Sequence, residues 1–396
     1  MPRAATPGMR VVFLYNHAAP HQVPHTAPYA FELSRRYPEL DVVLAGSSAA
    51  ECELAERIGR HYPGHRCRYR ELRLSRAWRL IDPLLSKFTF ETKKKVLRRH
   101  LEFFRSADAI VSPELTCLRL RTIHGLRNTR LIWVPHGAGD RAAGFDRRIA
   151  EFDFVLLPGR KVLDRMLHQG LVRGDNAVAI GYAKFEAIKA LTPEPPRLFG
   201  NDRPVVLYCP HFHNELSSWQ PAGLRILDWF RQQDRYNLIF APHVILFRRS
   251  MRHRARLPGR FRRAPNIHVD TGSSRSIDMS YTRAADIYLG DVSSQIYEFL
   301  HRPRPAIFVN ARRTDWRDDP DYACWHLGDV IDDVENDLPR ALENAPRRWQ
   351  EIYAQRQREA FEYTFAQPAG RTVGEAGADA IARWLGVAGA AGFASV

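Results

Sequence analysis

The sequence predicts an α/β protein of two doubly wound parallel-sheet domains facing a cleft, with helices at the C-terminus. Three observations predict it. The chain has 396 residues, too long for one ordinary core and suited to two domains of about 150–200 residues each. Short apolar runs of strand length alternate with helical segments, the rhythm of βα units. A proline-rich stretch, Thr192-Pro-Glu-Pro-Pro, and the polar run Gly200–Arg203 interrupt that alternation mid-chain. The expected boundaries are 1–191 for an N-terminal domain, 192–203 for a linker and 204–345 for a C-terminal domain. Residues 346–396 are expected as helices and a tail able to pack back on the first domain.

The first strand is Arg10–Tyr15, and a loop, His17–Thr26, follows. His17, His21 and His25 are spaced by four, but Pro20 and Pro24 forbid a regular helix there. The segment reads as a flexible loop, exposed to solvent or touching acceptor at the cleft mouth. Pro28–Arg36 then reads as helix, Asp41–Ala45 as strand and Ala49–Arg60 as helix. Residues 68–106 are strongly basic. Within them Glu91–Arg105 puts Val96, Leu97, Leu101 and Phe104 on one face and Lys93, Lys94, Lys95, Arg98 and Arg99 elsewhere, a basic amphipathic helix. Packing on its own sheet with a solvated basic face is one reading; contact with an anionic membrane or polymer is the other. Strands follow at Ala109–Ser112, Leu131–Val134, Phe154–Leu157 and Val178–Gly181, with a helix over Gly159–Gly170.

After the linker, strands are expected at Val205–Cys209, Asn237–Ala241, Asn266–Val269, Ile287–Leu289 and Ala306–Val309. Helices between them are expected over Gln220–Gln233, Val244–Arg256, Ser276–Ala284 and Ser293–Leu300. Glu335–Leu342 and Arg347–Leu385 read as helical, and Gly386–Val396 as a frayed end.

A hydrophobic content of 45% with 26% charged residues argues against global disorder. Lysine and arginine number 59 against 44 acids, a formal charge of +15. That excess attracts polyanions such as phosphate-rich substrates or acidic lipid headgroups, although arginine spread along the whole chain also fits a generally arginine-rich proteome. The dispersion, without any nucleic-acid module, argues against specific nucleic-acid binding. The five cysteines lie far apart with no Cys-x-x-Cys, which suggests reduced thiols and a cytoplasmic setting. The apolar run at Val11–Tyr15 is too short for a signal peptide core, and no run approaches the roughly 18–20 apolar residues that span a bilayer. Any work at the membrane is expected from its inner surface.

Three constellations carry possible chemistry. In Gly290-Asp-Val-Ser-Ser-Gln-Ile-Tyr-Glu298 a strand runs into Asp291, Ser293 and Ser294 ahead of an apolar-periodic helix. Such residues cap helices, and the same end offers N–H groups and a positive dipole to a phosphate. Glu298, a little over one turn in, is placed to reach a ribose. The pattern also suits an ordinary capped helix. In Trp133-Val-Pro-His-Gly-Ala-Gly-Asp140 a strand ends at His136, the side chain there able to accept a proton near neutral pH. Gly137 and Gly139 allow close approach to the backbone; a structural loop histidine is the alternative. In the second half, His211 and His213 follow one strand and His243 the next, and histidines there suit a diphosphate. The spacing of His211 and His213 matches no standard metal site, so no metal or other cofactor is expected.

Taken in order, these pieces resemble the CDP-glycerol glycerophosphotransferase family, the teichoic-acid polymerase type of GT-B transferase. Trp133-Val-Pro-His-Gly is similar to its Trp-His-Gly segment, and Ile180-Gly-Tyr-Ala-Lys-Phe-Glu186 to its Gly-Tyr-Pro-Arg-x-Asp element. Ala241-Pro-His243 resembles its His-Pro, and Ala285-Asp-Ile-Tyr-Leu-Gly-Asp-Val-Ser-Ser294 its Ala-Asp-x-x-Ile-Thr-Asp-Tyr-Ser-Ser. The resemblance spans roughly residues 130–310. It implies a GT-B transferase in which His136, with Gly137, activates an acceptor hydroxyl. It further implies that His243, Ser293 and Ser294 hold a nucleotide-diphosphate donor and Glu298 its ribose. The acceptor would be a phosphate-rich or glycan polymer of the cell surface. Cys-Pro-His-Phe stands where the family has Ala-Pro-Thr-Trp, so a nucleotide sugar remains an alternative donor. UDP-N-acetylglucosamine 2-epimerases share the architecture, which keeps epimerisation open as the reaction.

Overall fold

Two fully parallel sheets organise the chain. The computed structural model describes residues 8–16, 19–74, 89–247 and 257–387. In the first sheet lie β1 (Arg10–Tyr15), β2 (Asp41–Gly46), β3 (Arg68–Glu71), β4 (Ala109–Ser112), β5 (Arg130–Trp133), β6 (Phe154–Leu157) and β7 (Ala177–Ala179). Their spatial order is β3-β2-β1-β4-β5-β6-β7. In the second lie β8 (Val205–Cys209), β9 (Asn237–Phe240), β10 (Ile267–Val269), β11 (Ile287–Gly290), β12 (Ala306–Val309) and β13 (Asp329–Ile331), in the order β10-β9-β8-β11-β12-β13. The chain forms two compact units. Unit 1 takes the chain up to His136, Phe145–Pro193 and the part from Glu362; unit 2 takes Gly137–Gly144 and Glu194–Phe361.

The strands of unit 1 are apolar on both faces because helices cover both. Along β1, Val11, Phe13 and Tyr15 enter one core with Val42 and Leu44 of β2. Val12 and Leu14 enter the opposite core with Val43 and Ala45. The helix Val373–Leu385 contributes Ala378, Ile381 and Leu385 to the first of these cores, and Trp384 stacks on Phe154 with ring centroids 5.0 Å apart. A capping box between Thr372 and Glu375 starts that helix, and Gly386, at φ 78°, ends it in the left-handed conformation. In unit 2, Val206, Tyr208, Leu238, Phe240, Ile287, Leu289, Ile307 and Val309 line one core.

One buried cation ties unit 2 together. Arg304 is 9% exposed and donates from Nη2 to the carbonyls of Thr282 and Phe299, both at 2.9 Å, and from Nε to that of Arg302 at 2.8 Å. It also bonds the Ala285 carbonyl and lies 3.9 Å over the Phe299 ring. These carbonyls belong to the elements flanking β11. Arg304→Met keeps most of the volume but removes the four bonds these carbonyls accept from the guanidinium. It is expected to cost about 3 kcal/mol, read as a lower urea midpoint for the unit 2 transition; a shift under about 1 kcal/mol would contradict this role.

The structure differs from the sequence reading in several places. The expected helix Glu91–Arg105 breaks at His100 into Thr89–Arg99 and Leu101–Arg105. Val96, Leu97 and Phe104 are buried as the periodicity requires, but Lys93 is buried with them and not on the basic face. The segment expected as a flexible loop, exposed to solvent or touching acceptor, forms a 3-10 turn, Pro20–His25, in which Gln22, Val23, Pro24 and His25 are buried; His17 lies outside the described residues. The helix expected over Val244–Arg256 falls mostly outside them, and Val244–Phe247 is a turn. The tail is helical to Thr364 and again from Val373, with Pro368 and Gly370 in the gap. Strands β3 and β13 carry no apolar run of strand length, which is why periodicity missed them.

Candidate functional site

In an open parallel sheet, ligands bind outside the carboxyl ends of the strands where the strand order reverses. That point falls between β1 and β4 in unit 1 and between β8 and β11 in unit 2. The sequence-predicted residues collect at these two places.

In unit 1, β4 runs into Pro113 and β5 into His136. His136 Nδ1 lies 2.8 Å from the Pro113 carbonyl. A carbonyl only accepts, so Nδ1 carries the proton and Nε2 keeps its lone pair. The ring reaches solvent, yet surrounding protein disfavours its charged form. The Pro113 bond opposes that effect, while Lys184 and Lys93 add to it, and the net result holds the imidazole below the usual histidine range. His21 and His25 stand edge-on to it, each with its centroid 6.3 Å away. Burial, then Lys184, keeps His25 neutral. Behind this group lies a buried polar floor. Asn16 Nδ2 donates to the Lys93 carbonyl at 3.3 Å, and Glu114 accepts from Thr116 N at 2.7 Å. Burial raises the Glu114 carboxyl.

In unit 2, β11 ends at Gly290 and Asp291 follows, fully buried. Its Oδ2 accepts from His211 N at 2.8 Å and Ser218 N at 2.9 Å. Burial outweighs these bonds and pushes the carboxyl up to about 6. Asp291 therefore shapes the loop after β8 from below. His211 and His243 come together with centroids 5.8 Å apart, and Phe212 packs 4.4 Å from His243. Burial lowers His243 to about 4; burial, then Arg141, lowers His211 to about 3. His213 N donates to His211 Nδ1 at 3.0 Å. Among the described residues no three histidine, cysteine or acidic side chains converge as a metal set.

The helix after Asp291 is Gln295–Phe299, five residues long and later than the expected Ser293 start. Ser293 Oγ accepts from Gln295 N at 3.2 Å. Ser294 stands at the cap without a side-chain cap bond and is exposed. So short a helix carries little dipole, and what it presents is one hydroxyl free of capping duty. Glu298 is half-buried within it. Of the glycines after His136, Gly139 has a structural use: a Cβ there would stand 3.2 Å from Ser294 Cβ, whereas one at Gly137 would meet Ser294 Oγ at an ordinary 3.8 Å. The close approach that Gly139 permits is to Ser294 of unit 2 itself.

Sequence reasoning missed the residues that hold this segment down. Asp140 is buried, accepts from Tyr297 OH at 2.8 Å on both oxygens and takes the Cys324 N–H at 3.1 Å. Arg141 Nη1 comes within 3.3 Å of His211 Nε2. Asp140 closes the Gly137-Ala138-Gly139 turn, a signal that could have marked it. The Pro113 carbonyl has no side-chain signature and could not have been found.

No family model matches the chain, and no curated protein matches it in sequence. Solved structures match its fold. The wall teichoic acid polymerase TagF is 14% identical, with 96% of this chain and 90% of that chain covered, at a TM-score of 0.59. The UDP-GlcNAc 2-epimerase from Neisseria meningitidis, bound to UDP-GlcNAc, is 13% identical over 96% of this chain and 99% of that one, at 0.52. S. aureus MnaA, solved with UDP, is 12% identical over 97% and 98%, at 0.51. At such identities the likeness speaks for fold alone: this chain has two parallel-sheet α/β units of the GT-B type.

Proposed function

We propose that this protein is a transferase that moves a glycerophosphoryl or glycosyl group from a nucleotide-diphosphate donor to a hydroxyl of a glycan or phosphate-rich polymer. The observation that carries the reading is the 2.8 Å contact from His136 Nδ1 to the Pro113 carbonyl, which leaves Nε2 as a neutral base. In the reaction, Nε2 takes the acceptor hydroxyl's proton. The resulting oxygen attacks the donor's distal phosphorus, breaking the P–O–P bridge and releasing a nucleoside monophosphate. With a glycosyl donor it attacks the anomeric carbon instead, and a nucleoside diphosphate leaves.

Unit 2 is assigned the donor, with His211, His243, Ser293 and Ser294 about the diphosphate and Glu298 on the ribose. Asp291 positions the His211 loop from beneath. The +15 charge favours a phosphate-rich acceptor presented at an anionic membrane face, reached from the cytoplasmic side. No helix among the described residues is long and apolar enough to cross a membrane.

The test is a panel of CDP, UDP, GDP, CDP-glycerol and UDP-N-acetylglucosamine. One nucleotide is expected to raise the melting temperature at millimolar concentration, because a ligand of the native state stabilises it. The matching donor is expected to release nucleotide only when acceptor membranes are added. Isomerised donor without acceptor would make the protein an epimerase instead, and no response to any nucleotide would end both readings.

A further inference from the structure

The loop after β8 poses a hydrogen-bond conflict. A neutral imidazole has one lone pair, yet two donors point at the ring of His211. His213 N–H meets Nδ1 at 3.0 Å, and the Arg141 guanidinium meets Nε2 at 3.3 Å. The backbone donor is built into the loop, whose position Asp291 sets by accepting His211 N at 2.8 Å and Ser218 N at 2.9 Å. Nδ1 is therefore the acceptor and Nε2 carries the hydrogen. Arg141 and His211 then present two N–H donors to each other, an arrangement that is repulsive unless a third group accepts from both.

We infer that Arg141 Nη1 and His211 Nε2 share one anionic oxygen, and that Arg141 is thereby a phosphate-binding residue of unit 2. His211 is 6% exposed, so the donor it offers is fixed in direction and costs little to organise. Arg141 is held in turn. Its neighbour Asp140 is buried and bonded to Tyr297, and Ala142 N donates to Asp321 at 3.0 and 3.1 Å. Arg141 also borders a cavity of about 130 Å³ that His213, Glu215, Asp319, Asp321 and Tyr322 line. The three carboxylates there repel an anion placed among them, which assigns the oxygen to the Arg141–His211 corner. Water can bridge two donors, but beside a guanidinium an anionic oxygen is the stronger acceptor.

This rests on the reading of unit 2 as the donor's unit, and deepens it by naming the pair that grips one phosphoryl oxygen. The test uses the full chain with inorganic pyrophosphate, CDP and UDP as probes, by calorimetry at pH 7.5 in chloride buffer. Arg141→Met is expected to raise the Kd for pyrophosphate at least tenfold, and Arg141→Lys, which keeps a point charge, by less. His211→Asn keeps an acceptor for His213 N and loses the outer donor; it is expected to weaken binding comparably. Because both donors hold one oxygen, the double variant is expected to bind little worse than the weaker single. Independently of any ligand and of any variant's folding, ¹⁵N spectra of histidine-labelled protein are expected to show His211 as the Nε2–H tautomer.

An Nδ1–H tautomer, additive losses, unchanged Kd values in the single variants, or no pyrophosphate binding by the parent protein would each overturn the inference. The two readings fail separately. Pyrophosphate binding lost in Arg141→Met, with no donor turned over by the parent protein, keeps the site and removes the transferase. Normal transfer with unchanged binding in Arg141→Met does the reverse.

Discussion

Replacing His136 by alanine is expected to lower transfer roughly 10²–10⁴-fold, the range a positioned general base contributes. Donor affinity is expected to stay within about twofold, because the diphosphate is assigned to unit 2 and His136 enters only when the acceptor oxygen loses its proton. Stability should change little, since the ring reaches solvent and its one bond is to the Pro113 carbonyl. The pH profile carries a second readout. Surrounding protein, then Lys184 and Lys93, hold the imidazole below its usual range, so Nε2 remains unprotonated somewhat below pH ~6.5. The acid limb of the rate profile is expected below that value, and Lys184→Met is expected to move it upward. Unchanged turnover in His136→Ala, or a limb above pH ~7, removes the histidine from its assigned role.

Unit 2 is expected to lose about 4 kcal/mol of stability between pH 7 and 4. His211 and His243 sit at about 3 and about 4 in the folded chain, against about 6.5 unfolded. The unfolded chain takes protons that the native one refuses. The histidine contribution is therefore complete above pH ~6.5 and drains away as pH falls toward the folded values, about 6 kcal/mol for the pair by pH 4. Asp291 acts in the other direction. Its folded value of about 6 exceeds the unfolded ~3.9. The native state binds that proton first and gains about 2 kcal/mol over the same range. The balance is a large part of an ordinary domain's 5–15 kcal/mol. Hydrogen exchange of peptides from β8, β9 and β11 across this range reads it directly, and His243→Asn is expected to flatten the slope. A unit 2 as protected at pH 4 as at pH 7 would show that these histidines protonate freely in the native state.

The strands were legible because a strand buried on both faces is an unbroken apolar run: β1, β4, β6, β8 and β12 begin and end where the sequence placed them. The edge strands β3 and β13 were not, because an edge strand half in solvent, such as Arg68–Glu71, mixes charge with apolar residues. The Glu91–Arg105 face was read correctly at Val96, Leu97 and Phe104. Its break at His100 was not, since His100 carries no helix-breaking chemistry of its own. Pro20 and Pro24 pointed to a flexible loop, exposed or touching acceptor; the structure instead makes a 3-10 turn and buries His25 against Tyr182, centroids 5.1 Å apart.

By itself the sequence determined the α/β class, the two parallel sheets, and the strand ends from which His136, His211, His243 and Asp291 project. Each of those follows from local chemistry, apolar runs that demand burial and polar residues that stop them. Tertiary structure alone decided what these side chains are able to do. The lone pair left on His136 depends on a carbonyl 23 residues away, and the hydrogen on His211 Nε2 on a loop that Asp291 holds from 80 residues off. Proton placement in a ring is set by whichever partner the fold brings to its other nitrogen, and a backbone carbonyl or amide leaves no trace of that partnership in the order of the residues.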